Sequence, residues 1–171
     1  MSEREAWSVR TGQWLAMVVR TGLPVLGICY GHQLLAEALG GRVGPNPLGR
    51  EMGTIAVRLR PEAASDPLLA RLPEHFRVHA THVESVLALP PGANLLASSD
   101  TDPHQAFAVG TSAWGVQFHP EFDAQVIREY IQARSDVLVA EGRDVAAMLA
   151  SVEVSDAGPI LLQRFAELLR R

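Results

Sequence analysis

The chain has little of what would commit it to a specialised class. It carries one cysteine in 171 residues, so no intramolecular disulfide can brace it. Basic residues are in deficit, 15 Lys and Arg against 19 Asp and Glu, for a net charge of −4. That argues against nucleic acid or an anionic membrane as the main partner, because both select basic surfaces. No apolar run reaches the length of a membrane span. The first twenty residues contain Glu3, Arg4, Glu5, Arg10 and Arg20, which do not make a secretory signal, so a cytoplasmic location is expected. No repeat, low-complexity tract or long linker divides the chain. A single domain over 1–171 is therefore expected, with a core at about 7–135 and a helical extension at about 136–171.

What is present is an α/β pattern. Residues 23–28 (LPVLGI) form a short continuous apolar run, the signature of a strand buried on both faces. Helical spacing follows at once, with Leu34, Leu35, Ala38 and Leu39 in one stripe and Gly40-Gly41 as its stop. Upstream, residues 7–20 read as an amphipathic helix with Trp7, Trp14, Leu15, Val18 and Val19 as the inner face. Residues 54–60 alternate, placing Ile55, Val57 and Leu59 on one face and Arg58 and Arg60 on the other. Further strands are expected at 76–80, 85–89, 93–98, 105–109 and 114–118, with Pro90-Pro91-Gly92 as a turn. A long helix is expected over 123–141 with Asp123 as N-cap and Phe122, Val126, Ile127, Tyr130 and Ile131 on one face, then helices near 144–151 and 159–170.

Cys29 stands between the buried strand and its helix, flanked by Gly27 and Gly31. Small residues two positions either side of a nucleophile let strand and helix pass close together at a strained turn. The side chain then projects at the carboxyl end of the sheet, where open α/β folds bind ligands. A helix N-terminus favours a thiolate, and the N–H of Tyr30 points the same way and can help hold an oxyanion. The competing reading is a small buried structural cysteine. Of the six histidines, His119 is placed best to act as base, since a strand ends directly before it and Pro120 and Glu121 follow. A carboxylate two residues on can fix the imidazole's tautomer and orientation. A surface His beside a surface Glu is the alternative. His79, His82 and Glu84 can be drawn as metal ligands, but no further ligand pattern accompanies them, and neither a metal nor a cofactor is expected. Trp7, Trp14 and Trp114 are expected in the core or an interface. Arg50 and Glu51 form either a loop-fixing ion pair or part of a substrate pocket.

Residues 24–33 (PVLGICYGHQ) and 115–122 (GVQFHPEF) resemble the two signatures of class I, triad-type glutamine amidotransferases. The likeness is strongest to free-standing members related to the amidotransferase domain of GMP synthetase. Residues 49–53, 81–86, 89–93 and 105–107 agree with that family in order. The resemblance implies a flavodoxin-like open sheet with flanking helices. It also implies glutamine hydrolysis through a γ-glutamyl thioester, with ammonia passed to an acceptor. By this likeness Cys29 is the nucleophile, His119 the proton carrier and Glu121 its orienting partner. Tyr30 supplies an oxyanion N–H, Gln33 helps bind substrate, and the backbone of Thr81, His82 and Val83 meets the α-amino and carboxylate groups of glutamine.

The chain departs from the family pattern because its nucleophile lies so near residue 1. Family members carry a leading βαβ portion first, including a Gly-rich turn that supplies the second oxyanion N–H. Residues 1–7 resemble the stretch just past that turn, so Met1 is expected to be an internal methionine of a longer frame. A sheet without that portion would be poorly stable or would pair as a homodimer through the raw face, with weak activity at best. The acceptor is then expected on a separate synthetase subunit. The competing functions are a stand-alone γ-glutamyl hydrolase and a truncated pseudoenzyme that acts by binding.

Overall fold

The computed structural model describes residues 6–170. Helix α1 (Ala6–Thr21) leads into strand β1 (Val25–Ile28), and the chain reverses directly into α2 (Tyr30–Ala38). Next come β2 (Arg42–Pro45) and the long β3 (Glu51–Leu59), then a short 3-10 helix, Pro61–Ser65. Strands β4 (His75–His82), β5 (Glu84–Ala88), β6 (Ala93–Ser98), β7 (Ala106–Val109) and β8 (Ala113–Val116) follow. Four helices close the chain: α3 (Ala124–Ala133), α4 (Ser135–Ala140), α5 (Val145–Ala150) and α6 (Ala157–Leu168). Six strands form one mixed sheet in the order β1-β8-β7-β6-β3-β4, while β2 and β5 make a separate antiparallel ribbon. Among the described residues only β1 and β8 pair in parallel, with Gly27 opposite Gly115.

Three apolar clusters hold this arrangement. The largest packs Trp114, Phe118, Leu68, Leu69, Leu96 and Leu161 between the sheet, the segment after the 3-10 helix, and α6. A second joins α1 and α2 to the opposite side through Leu15, Leu34, Leu35 and Phe107. A third gathers Met52, Ile127, Ile131, Leu138 and Val152 under α3 to α5. Each fully buried Leu, Ile or Phe contributes about 1.5–3 kcal/mol. Val57 is buried, Ile55 and Leu59 pack against the largest cluster, and Arg58 is exposed, in line with the alternation in the sequence.

Two sequence expectations need correction. Trp7 and Trp14 do not face inward: they are 51% and 55% exposed, and the buried residues of α1 are Ser8, Gly12 and Leu15. A Cβ at Gly12 would lie 3.6 Å from Leu34 Cδ1 and 3.8 Å from Ala38 Cβ, so α1 approaches α2 too closely for an indole between them. The helix expected over 123–141 is two helices, interrupted at Arg134 (φ −113°, ψ 15°). Its start is as expected, with the Asp123 carboxylate accepting from Val126 N at 2.8 Å. Strand β2, with Gly44 and Pro45, has no strand signal of its own and exists through its pairing with β5.

Two buried polar groups set limits on stability. Asp66 accepts from Leu68 N and Leu69 N at 2.9 Å each through Oδ1, and from Trp114 Nε1 at 2.9 Å through Oδ2. Asp66→Ala strands three buried donors at once, so unfolding in urea should show a loss of about 3 kcal/mol or more. A change under about 0.5 kcal/mol would mean that the bonds are replaceable. His32 is fully buried against Phe107, ring centroids 4.9 Å apart, and neither ring nitrogen has a hydrogen bond of good geometry. Burial pushes its pKa down to about 3; the Gly115 backbone offsets part of this, and His82 and His104 add like charge. The unfolded chain therefore takes up a proton at His32 as pH falls from about 6.5 towards 3, and the native state does not. Stability should drop across that window at up to about 1.4 kcal/mol per pH unit, and His32→Leu should flatten the slope by one proton.

Candidate active site

The site begins at a backbone constraint. A Cβ on Gly27 would lie 2.5 Å from Gly31 O and 2.7 Å from Gly31 C, so strand and helix touch backbone to backbone. Between them Cys29 adopts φ 49°, ψ −103°, the only positive φ outside glycine among the described residues. Such a conformation stores about 1–3 kcal/mol and persists only where the surroundings enforce it. Here Cys29 N donates to Val116 O at 2.9 Å, and Gln33 N donates to Cys29 O at 3.1 Å. The thiol does not cap its own helix. Instead Sγ lies 3.6 Å from the Gln117 amide nitrogen, which donates to it, and 3.9 Å from Thr81 O.

His119 lies three residues past the end of β8 rather than directly after a strand as expected, and it is held there from several sides. Its N–H donates to His79 O at 2.8 Å, which ties the end of β8 to β4. Its ring stacks on Phe122 at 4.1 Å with 13° between planes. Nδ1 meets Glu121 Oε1 at 2.7 Å, so the N–H donates to the carboxylate. Nε2 is buried without a conventional hydrogen bond, and the Cys29 sulfur lies near enough to act on it. Burial alone would lower the pKa of His119, but the interactions with Cys29 and Glu121 outweigh it and raise it to about 9. Burial works against the charge of Glu121 too, yet His119 holds its pKa below the usual carboxylate range. A thiol beside an imidazole that keeps its proton at neutral pH can act as a nucleophile with a proton donor in place.

The other expected site residues fall around this centre in different ways. Tyr30 is the first residue of α2, where backbone N–H groups lack intrahelical partners. Its ring leans on Trp7 at 5.7 Å, and its hydroxyl donates to Ser8 Oγ at 2.9 Å. Gln33 is buried, with Nε2 donating to Glu84 O at 2.8 Å and to Gln117 Oε1 at 3.1 Å. Thr81 presents its carbonyl to the sulfur. Val83 is exposed, and its carbonyl accepts from Asn46 N at 2.9 Å. The His82 ring is turned away from solvent: Nε2 meets Glu51 Oε2 at 2.8 Å, and Nδ1 meets Glu84 O at 3.0 Å.

Sequence reasoning missed the polar structure behind the thiol. Gln117 bridges Gln33 and Sγ, and Glu51 collects bonds from His82, from Ser99 Oγ at 2.6 Å, and from Gln105. Arg50 and Glu51 do not pair with each other. Arg50 instead clamps Glu141, with Nε to Oε2 at 3.0 Å and Nη2 to Oε1 at 3.0 Å. Extended neighbours point to opposite sides, which separates the two charges. The same geometry separates His79 from His82, with His79 Nδ1 facing Thr54 Oγ1 at 3.3 Å. No group of three potential metal ligands forms among the described residues. No described helix is long and apolar enough to cross a membrane.

Comparison with known proteins gives this geometry a family. The sequence profile described as "Glutamine amidotransferase class-I" matches residues 9–135. The chain is 44% identical over 115 residues to the glutamine-hydrolysing GMP synthase of Aeropyrum pernix, a match covering 67% of this chain and 22% of that one. It is 48% identical over 104 residues to the enzyme of the same name from Thermomicrobium roseum, covering 61% and 19%. To a glutamine-hydrolysing GMP synthase subunit of Thermococcus kodakarensis it is 40% identical over 100 residues, covering 58% and 51%. The chain thus spans about a fifth of the two synthases and about half of the Thermococcus protein. Among solved structures, a glutamine amidotransferase from Thermotoga maritima superposes with TM-score 0.79 at 27% identity, covering 98% of this chain and 72% of that one. A glutamine amidotransferase from Methylobacillus flagellatus gives 0.72 at 26% identity, covering 99% and 67%. The flavodoxin-like architecture with flanking helices is therefore shared with solved amidotransferases, and the profile spans most of the chain. The chain belongs to the class I glutamine amidotransferase family.

Proposed function

We propose that this chain hydrolyses the side-chain amide of glutamine through a γ-glutamyl thioester on Cys29. The released ammonia would pass to an acceptor held by a separate synthetase subunit. The observation that carries this reading is the convergence of the strained Cys29 with the hydrogen-bonded His119–Glu121 pair in a class I chain. The likeness to a Thermococcus protein described as one subunit of a GMP synthase supports a synthetase carried on another chain.

The chemistry follows from the positions. Cys29 Sγ attacks the amide carbon of glutamine, its proton having moved to His119 Nε2. The oxyanion takes a hydrogen bond from Tyr30 N–H, where the N-terminus of α2 favours negative charge. His119 then donates its proton to the departing nitrogen, the C–N bond breaks, and ammonia leaves behind a thioester. Water attacks the thioester carbon and gives its proton to His119. The C–S bond breaks, the sulfur regains a proton, and glutamate is released. Glu121 keeps Nδ1 protonated throughout, so that Nε2 faces the reacting atoms. Thr81, His82 and Val83 offer backbone to the amino-acid end of glutamine. Gln33 steadies that loop through Glu84 O and holds Gln117 against the sulfur.

Turnover of glutamine, followed by coupled detection of ammonia, tests this directly. Cys29→Ser should lower kcat by about 10³-fold or more at unchanged fold. Preference for γ-glutamyl amines over glutamine would instead favour a γ-glutamyl hydrolase. The pH dependence carries a second test. His119 holds its proton up to about pH 9 partly because Glu121 stabilises the imidazolium. Removing that charge lowers the pH at which the proton is lost. Glu121→Gln should therefore move the alkaline limb of kcat/KM to lower pH, in a titration over pH 6 to about 10. An unmoved limb would remove Glu121 from the orienting role.

A further inference from the structure

Helix α6 lies beyond residues 9–135 that the family profile matches, yet its first turn touches the segment that carries His119 and Glu121. A Cβ at Gly158 would lie 2.4 Å from Pro120 O, 2.9 Å from Pro120 Cα and 3.0 Å from Pro120 C. All three are backbone atoms, so no side-chain rotation could relieve the contact. The φ of Gly158 is outside the left-handed region, so the contact with Pro120 adds to one local reason for glycine, its place before Pro159 in a helix, where a Cβ is disfavoured. Within a helix glycine costs about 1 kcal/mol relative to alanine. The sequence therefore retains a helix-weakening residue at the point where a methyl group would strike Pro120.

The helix that makes this contact is firmly seated. Ala157 and Leu161 are buried in the main core, and Phe165 meets Trp114 edge-on at 6.4 Å. Arg164 Nε donates to Leu68 O at 2.9 Å, and Nη2 bonds Pro67 O. The approach to α6 is tied to the sheet, with Glu153 N donating to Thr54 Oγ1 at 3.1 Å and Ser155 Oγ donating to Arg77 O. On its other side the segment hangs from β4 through His119 N to His79 O. Pro120, between the two site residues, is thus gripped between β4 and α6.

We propose that Gly158 is a positioning residue. By admitting the α6 backbone against Pro120, it sets the placement of His119 and Glu121 relative to Cys29. This rests on the reading of those three residues as the catalytic triad. A displacement of the imidazole by a fraction of an ångström weakens both its bond to Glu121 and its approach to the sulfur, and errors on the scale of 1 Å cost about 10²-fold in rate.

The test compares Gly158→Ala with Leu96→Ala, a cavity variant on β6 in the same core. Three quantities are read for each: the melting temperature, kcat and KM for glutamine, and the alkaline limb of kcat/KM. Gly158→Ala should lower kcat about tenfold or more with KM within about twofold, and should shift the alkaline limb of kcat/KM to lower pH. Leu96→Ala should lose at least as much melting temperature while leaving kcat and the limb in place. If Gly158→Ala loses melting temperature alone, the contact is mere packing and the proposal is overturned. Should Gly158→Ala fail to fold, Arg164→Ala loosens α6 without adding an atom, and kcat should fall about two- to fivefold with the same shift of the limb. An Arg164→Ala variant with wild-type kcat and limb would overturn the proposal equally. A His119→Gln variant that keeps wild-type kcat would instead refute the triad reading, and this inference with it.

Discussion

The backbone contact between Gly27 and Gly31 governs the rest of the site. It brings the end of β1 and the start of α2 so close that the residue between them has to leave ordinary backbone space, and Cys29 does so at φ 49°. The thiol does not compensate by capping the helix. The strain is carried by the fold: Val116 accepts the Cys29 N–H from β8, and Gly115 keeps β8 clear of His32 and Phe107. Substitution at Gly27 would act on the nucleophile without touching it.

Around that turn, strand pairing and buried polar packing have separate tasks. Pairing places the ends of β1 and β8 side by side, and the bonds from His119 N to His79 O and from Cys29 Sγ to Thr81 O bring β4 up to them. The buried polar chain, from Glu51 through His82 and Glu84 O to Gln33 and Gln117, fixes the orientation of the groups nearest the sulfur. Such chains are costly unless every member is satisfied, and Glu51 is satisfied by three side chains at once. The result is a rigid rear wall behind Cys29, with His119 held on the other side by β4, Phe122 and Glu121.

Much of this was legible in the sequence because it rests on local rules. The Gly-x-Cys-x-Gly turn and the Asp123 cap depend on neighbours a few residues away. Where the sequence misled, long-range geometry decided. Trp7 and Trp14 scored as the apolar face of α1, but interhelical distance selected Ser8 and Gly12 for the interior. Arg50 and Glu51, adjacent and opposite in charge, invited pairing, yet each found its partner far along the chain, Glu141 for one and His82 for the other. Gln117 and Gln105 look like solvent-facing strand residues, and only the fold reveals that both are buried. Gly158 reads in the sequence only as the residue before Pro159, and its contact with Pro120 is visible only in the fold.

The outward turn of α1 also gives the molecule a built-in optical division. Its three indoles occupy two kinds of medium: Trp114 is dry and hydrogen-bonded to Asp66, whereas Trp7 and Trp14 are in water. Emission from the first reports the integrity of the sheet, and the other two are open to aqueous quenchers. Trp7 also leans on the ring of Tyr30, the residue directly after the thiol. Trp7 therefore emits from beside the cysteine turn and Trp114 from within the core.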